Sequence, residues 1–586
     1  MITLPRLLAA VSSGPLLALV SPPFGAWWLL WVCWVPLLWA LREEDAPGNA
    51  LLAYLAGYTT FTANFFWLSE ACVIYSNLPP ILCLAAVHLH ALVFALPYPI
   101  VYSAVHPFRR SLGNGWVVAI AALLVSTEFL SPALFPWYQG STQYRVAWVA
   151  QLGSITGVLG ISFLAVLFNC ALGEIVFRRR EGRGFPTRVF GAALGLVLAN
   201  VGFGAWRTGS VDAEVATWET VRITQIQQDI RMKERMGQSA FQAIRSWKIL
   251  GDRLVGEDID LVVWPEAAVF TDPRRASNWR LRQFLQSVPQ TLKAPLLLGA
   301  GYYEPSTRPR KDAFTWEPAG GGSEATFKLE KRAAEIDEVT LDGNALSESD
   351  YRFDSRPNSV VFTPAITGGM SAGDRVEVRY QRRFTEQRNS VYLLDESGEV
   401  QQRYDKMVPL AFGEYIPLSD VFPILKEWIQ GPGDFSAGED PVIFQGPGFT
   451  FSVPICYEAI LSTFVREQLS DVDLLLAVTN DAWFGTTQAP HQHAMLAANR
   501  ALELGRPLYR LGYTGVSFVV TPTGHISNET RPYEEVSRVV EVPIGRIDTF
   551  FGRYGNWFPW LCVVGTLFAS VVTRRRRTVT DRGPLS

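Results

Sequence analysis

The feature that most constrains this chain is the uneven distribution of its apolar residues. Roughly the first third carries almost no charge, the middle has an ordinary charge content, and the last stretch is apolar and then basic. An uninterrupted apolar run of about 20 residues is long enough to cross the hydrocarbon core of a bilayer as a helix. The distribution therefore predicts a membrane domain joined to a separate domain that lies in water.

Seven apolar segments precede residue 210, and an eighth follows the charged region. We expect a seven-span transmembrane domain over residues 1–210 and an eighth transmembrane helix over residues 556–573. A signal peptide over residues 1–20 is the competing interpretation, but six further segments follow it and no small-residue cleavage site is clear. The seven segments lie at residues 5–21, 25–41, 49–71, 80–105, 115–134, 151–177 and 188–206.

Clusters of arginine predict how these spans are oriented. Each cluster follows an even-numbered span, namely Arg42, Arg109-Arg110, Arg178-Arg179-Arg180 with Arg183, and Arg574 to Arg577. Short cytoplasmic loops carry an excess of lysine and arginine, although such runs also occur in ordinary solvated loops. The consistent placement predicts that both termini are cytoplasmic and that residues 207–555 lie on the outer face.

The composition excludes several classes of protein. Hydrophobic residues make up 48% of the 586 residues and charged residues only 18%, which is typical of membrane proteins. A net charge of -3 gives no support for nucleic-acid binding. Six cysteines, most of them within apolar runs, form no disulfide framework. His491 and His493 have poor spacing for a metal on a helix and are interpreted as helix-face residues, so we predict no metal and no cofactor.

Residues 219–545 have the pattern of an α/β domain, because short apolar runs alternate with charged helical stretches. Residues 307–386 interrupt this pattern. The run Pro318 to Ser323 resembles a flexible linker, and short strand-like segments separated by Gly, Asn and Asp follow it. We expect a small all-β insertion within this α/β domain, over residues 307–386, with no catalytic constellation of its own.

Apolar strand-like runs in this domain end on residues that can carry chemistry. The run Phe449–Ile455 stops at Cys456, the run Leu261–Trp264 stops near Glu266, and Lys406 follows another strand. A thiol becomes a nucleophile only when a base removes its proton, and a carboxylate such as Glu266 is able to do so. A lysine and the backbone N–H after the nucleophile are suited to stabilise an oxyanion. Taken singly, the alternatives are an inert buried cysteine and solvated strand ends.

Taken together, these residues lie in blocks that resemble the nitrilase superfamily and, within it, the apolipoprotein N-acyltransferase family. The blocks are Trp264-Pro265-Glu266, Tyr404-Asp405-Lys406, Phe412 to Pro417, Cys456-Tyr457-Glu458, Thr479 to Gly485, Pro490 to His493 and Arg500 to Pro507. The resemblance covers the whole chain except the insertion. The sequence departs from the family pattern at Gln227–Arg231, at Met236 and at Tyr513.

The resemblance implies an αββα sandwich with Glu266 as general base, Lys406 as oxyanion stabiliser and Cys456 as nucleophile. Supporting or substrate-binding positions carried over by the same likeness are Glu414, Tyr457, Glu458, Trp264, Asn480 and Trp483. The implied reaction is ping-pong: Cys456 takes an acyl chain from a membrane phospholipid as a thioester and passes it to an apolipoprotein. The acceptor is the α-amine of a diacylglyceryl-modified N-terminal cysteine.

This likeness also implies a place in the cell, namely the bacterial inner membrane with the catalytic domain on the periplasmic face. Two other functions stay open at the level of the sequence. A membrane-tethered amidase or nitrilase would hydrolyse the same thioester with water, and a membrane scaffold would carry a degenerate nitrilase-like domain. The presence of Glu266, Lys406 and Cys456 argues against the scaffold.

Overall fold

The computed structural model describes residues 2–76, 78–230, 240–269, 271–274, 279–305, 309–316, 325–329, 333–347, 349–354, 359–367, 369–382, 384–419, 421–422 and 435–581. Three sequence features lie outside these residues: Arg231, Met236 and the linker from Pro318 to Ser323. The chain divides into two compact units. One contains residues 1–300, 390–433 and 437–586, and the other contains residues 301–389 and 434–436.

The N-terminal part of the first unit is helical. Its helices are α1 (Leu4–Ala18), α2 (Val35–Ala40), α3 (Ala46–Phe65), α4 (Leu68–Tyr75), α5 (Pro80–Phe94), α6 (Pro97–Ser103), α7 (Val105–Leu112), α8 (Trp116–Leu130), α9 (Ala147–Ala150), α10 (Gly153–Thr156), α11 (Val158–Arg180) and α12 (Thr187–Val215). Short 3₁₀ turns occur at Trp27–Trp31, Gly113–Gly115 and Gln139–Gln143. The later helices are α13 (Ala240–Asp252), α14 (Trp279–Leu292), α15 (Pro364–Thr367), α16 (Ser462–Phe464), α17 (Ala489–Leu504), α18 (Phe550–Tyr554) and α19 (Trp557–Asp581).

The prediction of eight membrane spans needs correction. Among the described residues, 4 helical stretches are long and apolar enough to cross a membrane: Pro80–Leu130, Val158–Arg180, Thr187–Val215 and Trp557–Arg576. The first two predicted spans form shorter apolar helices of 10–17 residues, Leu4–Ala18 and Trp27–Ala40. The fourth and fifth predicted spans are joined in the single stretch Pro80–Leu130.

The third predicted span, residues 49–71, is also not among the four membrane-crossing stretches, for a different reason. It corresponds mainly to α3, a helix of 20 residues. Asn49, Thr60 and Asn64 lie on this helix and are buried, so its side-chain pattern serves packing against neighbouring helices and lowers its mean apolar character. Buried polar side chains of this kind are typical of contacts between helices within a membrane bundle.

The outward faces of the long helices are apolar. Large side chains on α12 such as Leu198 and Trp206 are exposed, and so are Leu567 and Phe568 on α19. Contiguous apolar surface of this extent is rare on proteins in water and is normally covered by lipid or by a partner. This surface and the length of the helices show a membrane protein.

The α/β region is built from strands that form two sheets. Counting the second unit, the strands are β1 (Thr220–Gln227), β2 (Val262–Val269), β3 (Leu296–Pro305), β4 (Pro309–Thr315), β5 (Ala325–Lys328), β6 (Ala333–Leu341), β7 (Asn344–Ala345), β8 (Tyr351–Asp354), β9 (Ser359–Phe362), β10 (Arg375–Arg382), β11 (Phe384–Leu394), β12 (Val400–Asp405), β13 (Phe444–Gln445), β14 (Thr450–Ser452), β15 (Leu474–Thr479), β16 (Leu508–Gly512), β17 (Phe518–Val520), β18 (Ile526–Ser527) and β19 (Val536–Pro543). One sheet has the order β12-β11-β3-β2, and the pair β1-β19 adjoins it through a bridge from Ile223 to Leu261. The other has the order β13-β14-β15-β16-β17-β18.

The alternation of side chains along the strands explains the layers of this sandwich. On β2, Val263 points into the core between the two sheets, while Val262 packs against α13 and α14 on the outer face. On β15, Leu476 enters the same central core, and Leu475 faces outward to a cluster that includes Met495 of α17. Two sheets back to back with helices outside them form the predicted αββα arrangement.

The second unit is a small β structure with its own core. Its sheets have the orders β4-β10-β6-β7 and β5-β9-β8. Val339, Val378 and Phe362 are fully buried in its centre, and Tyr380 donates a hydrogen bond to Asp312 over 2.9 Å. The short helix α15 shows that the unit is mainly, but not purely, β.

Candidate active site

Cys456 begins a 3₁₀ turn, Cys456–Ile460, directly after the buried strand β14 and the residues that extend it. Ile455 bridges to Val478 of β15, so the cysteine lies where the strand leaves the sheet. Its φ of 52° is in the left-handed region, which a non-glycine residue adopts only when its surroundings hold it there. The fold thus presents the thiol at the end of a strand in a strained turn, as is common for nucleophiles.

Lys406 lies between two carboxylates. Its Nζ is 2.7 Å from Oε2 of Glu414 and 3.4 Å from Oε1 of Glu266, and all three side chains are buried. The second oxygen of Glu266 accepts a hydrogen bond of 2.7 Å from the backbone N–H of Asn480, which follows β15. Glu266 lies within β2, Lys406 follows β12 and Asn480 follows β15. These strands and the segment that carries Glu414 therefore bring the lysine and both carboxylates together.

Glu458 ties the cysteine turn to the segment that follows Lys406. One carboxylate oxygen accepts hydrogen bonds from Tyr404 Oη over 3.0 Å and from the backbone N–H groups of Met407 and Val408 over 2.6 and 3.0 Å. The other accepts from the N–H of Ile455 over 2.8 Å. The side chain is fully buried, and both of its oxygens accept hydrogen bonds, so it fixes the turn and the segment after Lys406 relative to each other.

The electrostatics of this cluster follow from burial and from neighbouring charges. Burial raises the pKa of the Cys456 thiol, and the nearby Glu266 raises it further against the opposing effect of Lys406. Burial lowers the pKa of Lys406, but the charges of Glu414 and Glu266 outweigh it and raise the pKa above its ordinary value. At neutral pH the lysine is a cation and the thiol is protonated, so the thiol needs a base to become a nucleophile.

A second buried cluster lies behind the cysteine. Asp481 Oδ1 is 2.8 Å from Nδ1 of His493, and Asp481 Oδ2 accepts from Arg510 over 2.8 Å. The other ring nitrogen of His493 is 3.3 Å from the carbonyl oxygen of Cys456. Burial raises the pKa of Asp481, but the charges of Arg510 and His493 outweigh it and hold the pKa well below its ordinary range.

Sequence reasoning missed this cluster, since it interpreted His493 as a residue on a helix face. One signal was present: Arg510 stands inside an otherwise apolar run, and a charge buried in a strand needs a buried partner. Asp481 is that partner. It follows β15, which pairs with β16, the strand that carries Arg510.

The remaining predicted positions are placed differently from one another. The ring of Tyr457 packs edge-on against Phe135 of the helical region, with 6.1 Å between ring centroids. Asn480 caps the turn Asp481–Phe484 by accepting from the N–H of Ala482, and Trp483 lies half-buried within that turn. Trp264 is fully buried beneath α13, stacked on Trp247 at 6.0 Å, so the structure does not bring its ring to the Lys406 cluster.

Gln228 and Tyr513, at two places where the sequence departs from the family pattern, contact each other. The hydroxyl of Tyr513 donates to Oε1 of Gln228 over 3.0 Å, and the backbone N–H of Gln228 donates to the carbonyl of Tyr513 over 3.1 Å. Both side chains are buried. They therefore form one packed unit, next to Trp247 of α13.

An αββα sandwich with a carboxylate, a lysine and a cysteine at its strand ends defines a protein of the nitrilase type. Residues 362–550 match the sequence model of the carbon-nitrogen hydrolase family, and residues 13–171 match that of the apolipoprotein N-acyltransferase N-terminal domain. The chain is thus similar to the apolipoprotein N-acyltransferase family in its helical region and to the carbon-nitrogen hydrolase family in its sandwich.

Curated relatives align with this chain over nearly its full length. An apolipoprotein N-acyltransferase of Geobacter metallireducens is 27% identical over 598 aligned positions, which cover 98% of this chain and 96% of the relative. One of Brucella suis is 26% identical, covering 97% and 95%. Among solved structures, an amidase of the nitrilase superfamily from Nesterenkonia AN1 is 15% identical, covers 55% of this chain and 90% of its own, and has a TM-score of 0.32.

Proposed function

We propose that this enzyme transfers an acyl chain from a membrane phospholipid, through a thioester on Cys456, to the α-amino group of the lipid-modified N-terminal cysteine of apolipoproteins. The observation that carries the proposal is the position of Lys406 between Glu266 and Glu414, beside the turn that carries Cys456. The full-length likeness to enzymes named apolipoprotein N-acyltransferase supports this acceptor over water.

Each group in the cluster has a role that its surroundings support. Glu266 accepts the thiol proton as Cys456 attacks the ester carbonyl of the phospholipid. Lys406 and the backbone N–H of Tyr457 stabilise the oxyanion, and Glu266 then gives the proton to the oxygen of the leaving lysophospholipid as the thioester forms. Glu414 holds the lysine, since its carboxylate also accepts the N–H of Leu410 over 2.7 Å and is thereby fixed in place. In the second half-reaction the amine attacks the thioester, Glu266 takes the amine proton, and the C–S bond breaks as Glu266 returns that proton to the sulfur of Cys456.

Two features support a lipid as the acyl donor. Phe412, Leu418, Val421 and Phe422, which follow the lysine segment, are exposed apolar residues that water solvates poorly. On the helical side, Phe135 contacts Tyr457 and also lines an apolar cavity of about 120 Å³ whose wall includes Phe65, Phe94 and Trp137. An acyl chain has the shape and the polarity that such a cavity accepts.

The arginine clusters support a bacterial inner-membrane location with a periplasmic catalytic domain. Arg109 bonds to Glu174, Arg110 pairs with Glu43, and Arg180 bonds to backbone carbonyls near residue 40, so these clusters share one end of the helical bundle. An end rich in arginine faces the cytoplasm. Under this proposal both termini are cytoplasmic and the sandwich faces the periplasm.

The test is to trap the intermediate. We expect purified protein incubated with labelled phospholipid to carry an acyl thioester on Cys456, detected by mass spectrometry and removed by hydroxylamine. The variant Cys456→Ala should form none, whereas Cys72→Ala, which removes a half-buried thiol of α4, should form as much as wild type. Acyl transfer retained by Cys456→Ala would refute the proposed mechanism.

The acceptor is tested in the same preparation. A synthetic peptide that begins with diacylglyceryl-cysteine should gain an amide-linked chain, and the same peptide with an acetylated α-amine should gain none. Release of free fatty acid at an equal rate with either peptide would instead favour the membrane-tethered hydrolase.

A further inference from the structure

The strongest unassigned feature is the buried cluster of Asp481, His493 and Arg510 behind the nucleophile. It touches Cys456 through the backbone, not through the thiol, because Nε2 of His493 is 3.3 Å from the carbonyl oxygen of Cys456. All three side chains are at most 2% exposed. Three ionisable groups at this depth are costly to bury and are expected to have a task that depends on their geometry.

The contacts of His493 define where its hydrogen lies. A carbonyl oxygen only accepts hydrogen bonds, so Nε2 carries a hydrogen in this contact. Nδ1 lies 2.8 Å from the carboxylate of Asp481 and 3.1 Å from a guanidinium nitrogen of Arg510. Nε2–H is compatible with both neighbours, because Nδ1 then either donates to Asp481 as part of an imidazolium or accepts from Arg510. Hydrogen on Nδ1 alone would set the lone pair of Nε2 against the lone pairs of the carbonyl.

The rigidity of the peptide group converts this contact into an effect at the site. In a trans peptide the C=O and the next N–H lie in one plane and point in opposite directions. A hydrogen bond that holds the carbonyl of Cys456 toward His493 therefore aims the N–H of Tyr457 away from His493. Tyr457 is the second residue of the turn Cys456–Ile460, and N–H groups in the first turn of a helix have no acceptor within that helix. This N–H is thus free of the helix ladder and is held in one direction.

The same contact accounts for the backbone of the cysteine. Cys456 has a φ of 52°, a conformation that is unfavourable for a non-glycine residue and persists only when other contacts fix it. The backbone N–H of Glu458 fixes the peptide before Cys456 by donating to the carbonyl of Ile455 over 3.1 Å, and His493 fixes the peptide after it. Asp481 in turn fixes the ring of His493, and Thr479 and Arg510 fix Asp481.

We propose that His493 is a positioning residue that, held by Asp481 and Arg510, orients the peptide between Cys456 and Tyr457 so that the Tyr457 N–H forms the oxyanion hole. The inference rests on the proposed function, since an oxyanion develops only if Cys456 attacks a carbonyl. His493 does not take the thiol proton, which passes to Glu266. It acts at the step in which negative charge forms on the ester oxygen.

The test compares two reactions of the same thiol. Acylation by phospholipid develops an oxyanion, whereas alkylation by iodoacetamide is a displacement at carbon that develops none. We expect His493→Phe, which keeps a ring but has no donor, to slow single-turnover formation of the Cys456 thioester by roughly 10- to 100-fold at saturating phospholipid. This is below the 10²–10³ loss for removing an oxyanion donor outright, because the Tyr457 N–H is misdirected rather than lost. Alkylation of Cys456 by iodoacetamide should stay within about 2-fold of wild type.

His493→Gln is the conservative variant, because its amide N–H reaches about as far as Nε2 and can donate to the same carbonyl. We expect it to restore acylation to within about 3-fold of wild type. His491→Gln, a partly buried histidine on the same helix, is the matched control and should leave both reactions unchanged.

The outcomes separate this inference from the proposed function. If His493→Phe forms the thioester at the wild-type rate, the proposed role of His493 is wrong. The thioester mechanism would be unaffected by that result. An equal loss of acylation and alkylation, not restored by His493→Gln, would also overturn it, because the effect would then lie at the thiol. A wild-type protein that alkylates readily but forms no thioester would refute the proposed function, and the oxyanion role would fall with it.

Discussion

Two regions flank the Lys406 cluster, and they are built in opposite ways. The cysteine turn, Cys456–Ile460, is buried throughout and is fixed by Glu458 on one side and by His493 on the other. The segment from Leu410 to Phe422, which we call the rim, exposes large apolar side chains such as Leu418, 66% exposed. Phe412 and Leu418 of the rim have positive φ values of 65° and 61°, and few side-chain hydrogen bonds from the described residues hold it.

The difference separates two tasks that one site has to combine. A nucleophile and an oxyanion donor must be held within a fraction of an ångström, which requires saturated hydrogen bonding and burial. A surface that admits a lipid must instead expose apolar groups and tolerate movement. Glu414 joins the two regions, because it lies in the rim and binds Lys406.

The largest effect is expected from Glu458→Ala, which alters the buried cysteine turn. The change leaves the hydroxyl of Tyr404 and three backbone N–H groups without their acceptor, and each costs about 1–3 kcal/mol when buried. We expect thioester formation to fall on the order of 10²–10³-fold, since displacements of about 1 Å at a reacting group have effects of this size. Glu467→Ala, which removes a half-exposed carboxylate from the same stretch, is the control and should retain activity. Near-normal acylation by Glu458→Ala would show that the turn is fixed by other contacts.

A smaller effect is expected in the pH dependence of stability. Burial raises the pKa of Glu458 to about 7, against the lowering effects of Lys406 and of the hydrogen bonds that the carboxylate accepts. The folded protein then binds this proton more tightly than the unfolded chain does. The stabilisation is fully present below the ordinary carboxyl pKa and is lost as the pH rises through about 7.

The comparison for this effect is Glu458→Gln, a neutral side chain of the same shape. We expect wild type to gain about 2 kcal/mol of unfolding free energy relative to Glu458→Gln when the pH falls from 8 to 5. Thermal unfolding in detergent at both pH values measures it. A difference between the two proteins that does not change with pH would indicate that Glu458 keeps one protonation state in the folded and unfolded chain.

The smallest effect is expected on the rim. Leu418→Ser with Phe422→Ser removes two exposed apolar side chains, and partial burial of each in lipid contributes of order 1 kcal/mol. We expect the KM for phospholipid in vesicles to rise about 5- to 10-fold with kcat unchanged, and the KM in detergent micelles to change less. Val255→Ser, an equally exposed apolar residue elsewhere in the α/β region, should have no effect. If kcat falls instead, the rim helps to hold the reacting groups in position, as the cysteine turn does.

The sequence predicted the sandwich well because its strands are short apolar runs between charged helical stretches, and β15 is buried along its whole length. It also selected Glu266 in β2, Lys406 after β12 and Cys456 after β14, and such positions at one sheet edge meet in space. The structure brings Glu266 and Lys406 within 3.4 Å. Their chemical roles remain predictions until the thioester is tested.

Other parts could not be predicted, for identifiable reasons. Eight spans were expected because hydropathy reports apolar content but not where a helix breaks or continues, and the stretch Pro80–Leu130 continues where two spans were expected. His493 was misread because α17 has more than one buried face. The sequence does not distinguish the face that meets Asp481 from the others. Trp264 was carried over from the family blocks as a substrate-binding or supporting residue, and its ring lies in the outer helix layer.

The contact between Gln228 and Tyr513 has a consequence for how variation spreads through this protein. Each side chain is a buried hydrogen-bonding partner of the other, so a change at one position alone removes a buried hydrogen bond from the second. Substitutions at the two sites should therefore show epistasis, with the double variant less impaired than the sum of the single variants. We therefore expect the two positions to covary among homologues, so that homologues that differ at one also differ at the other.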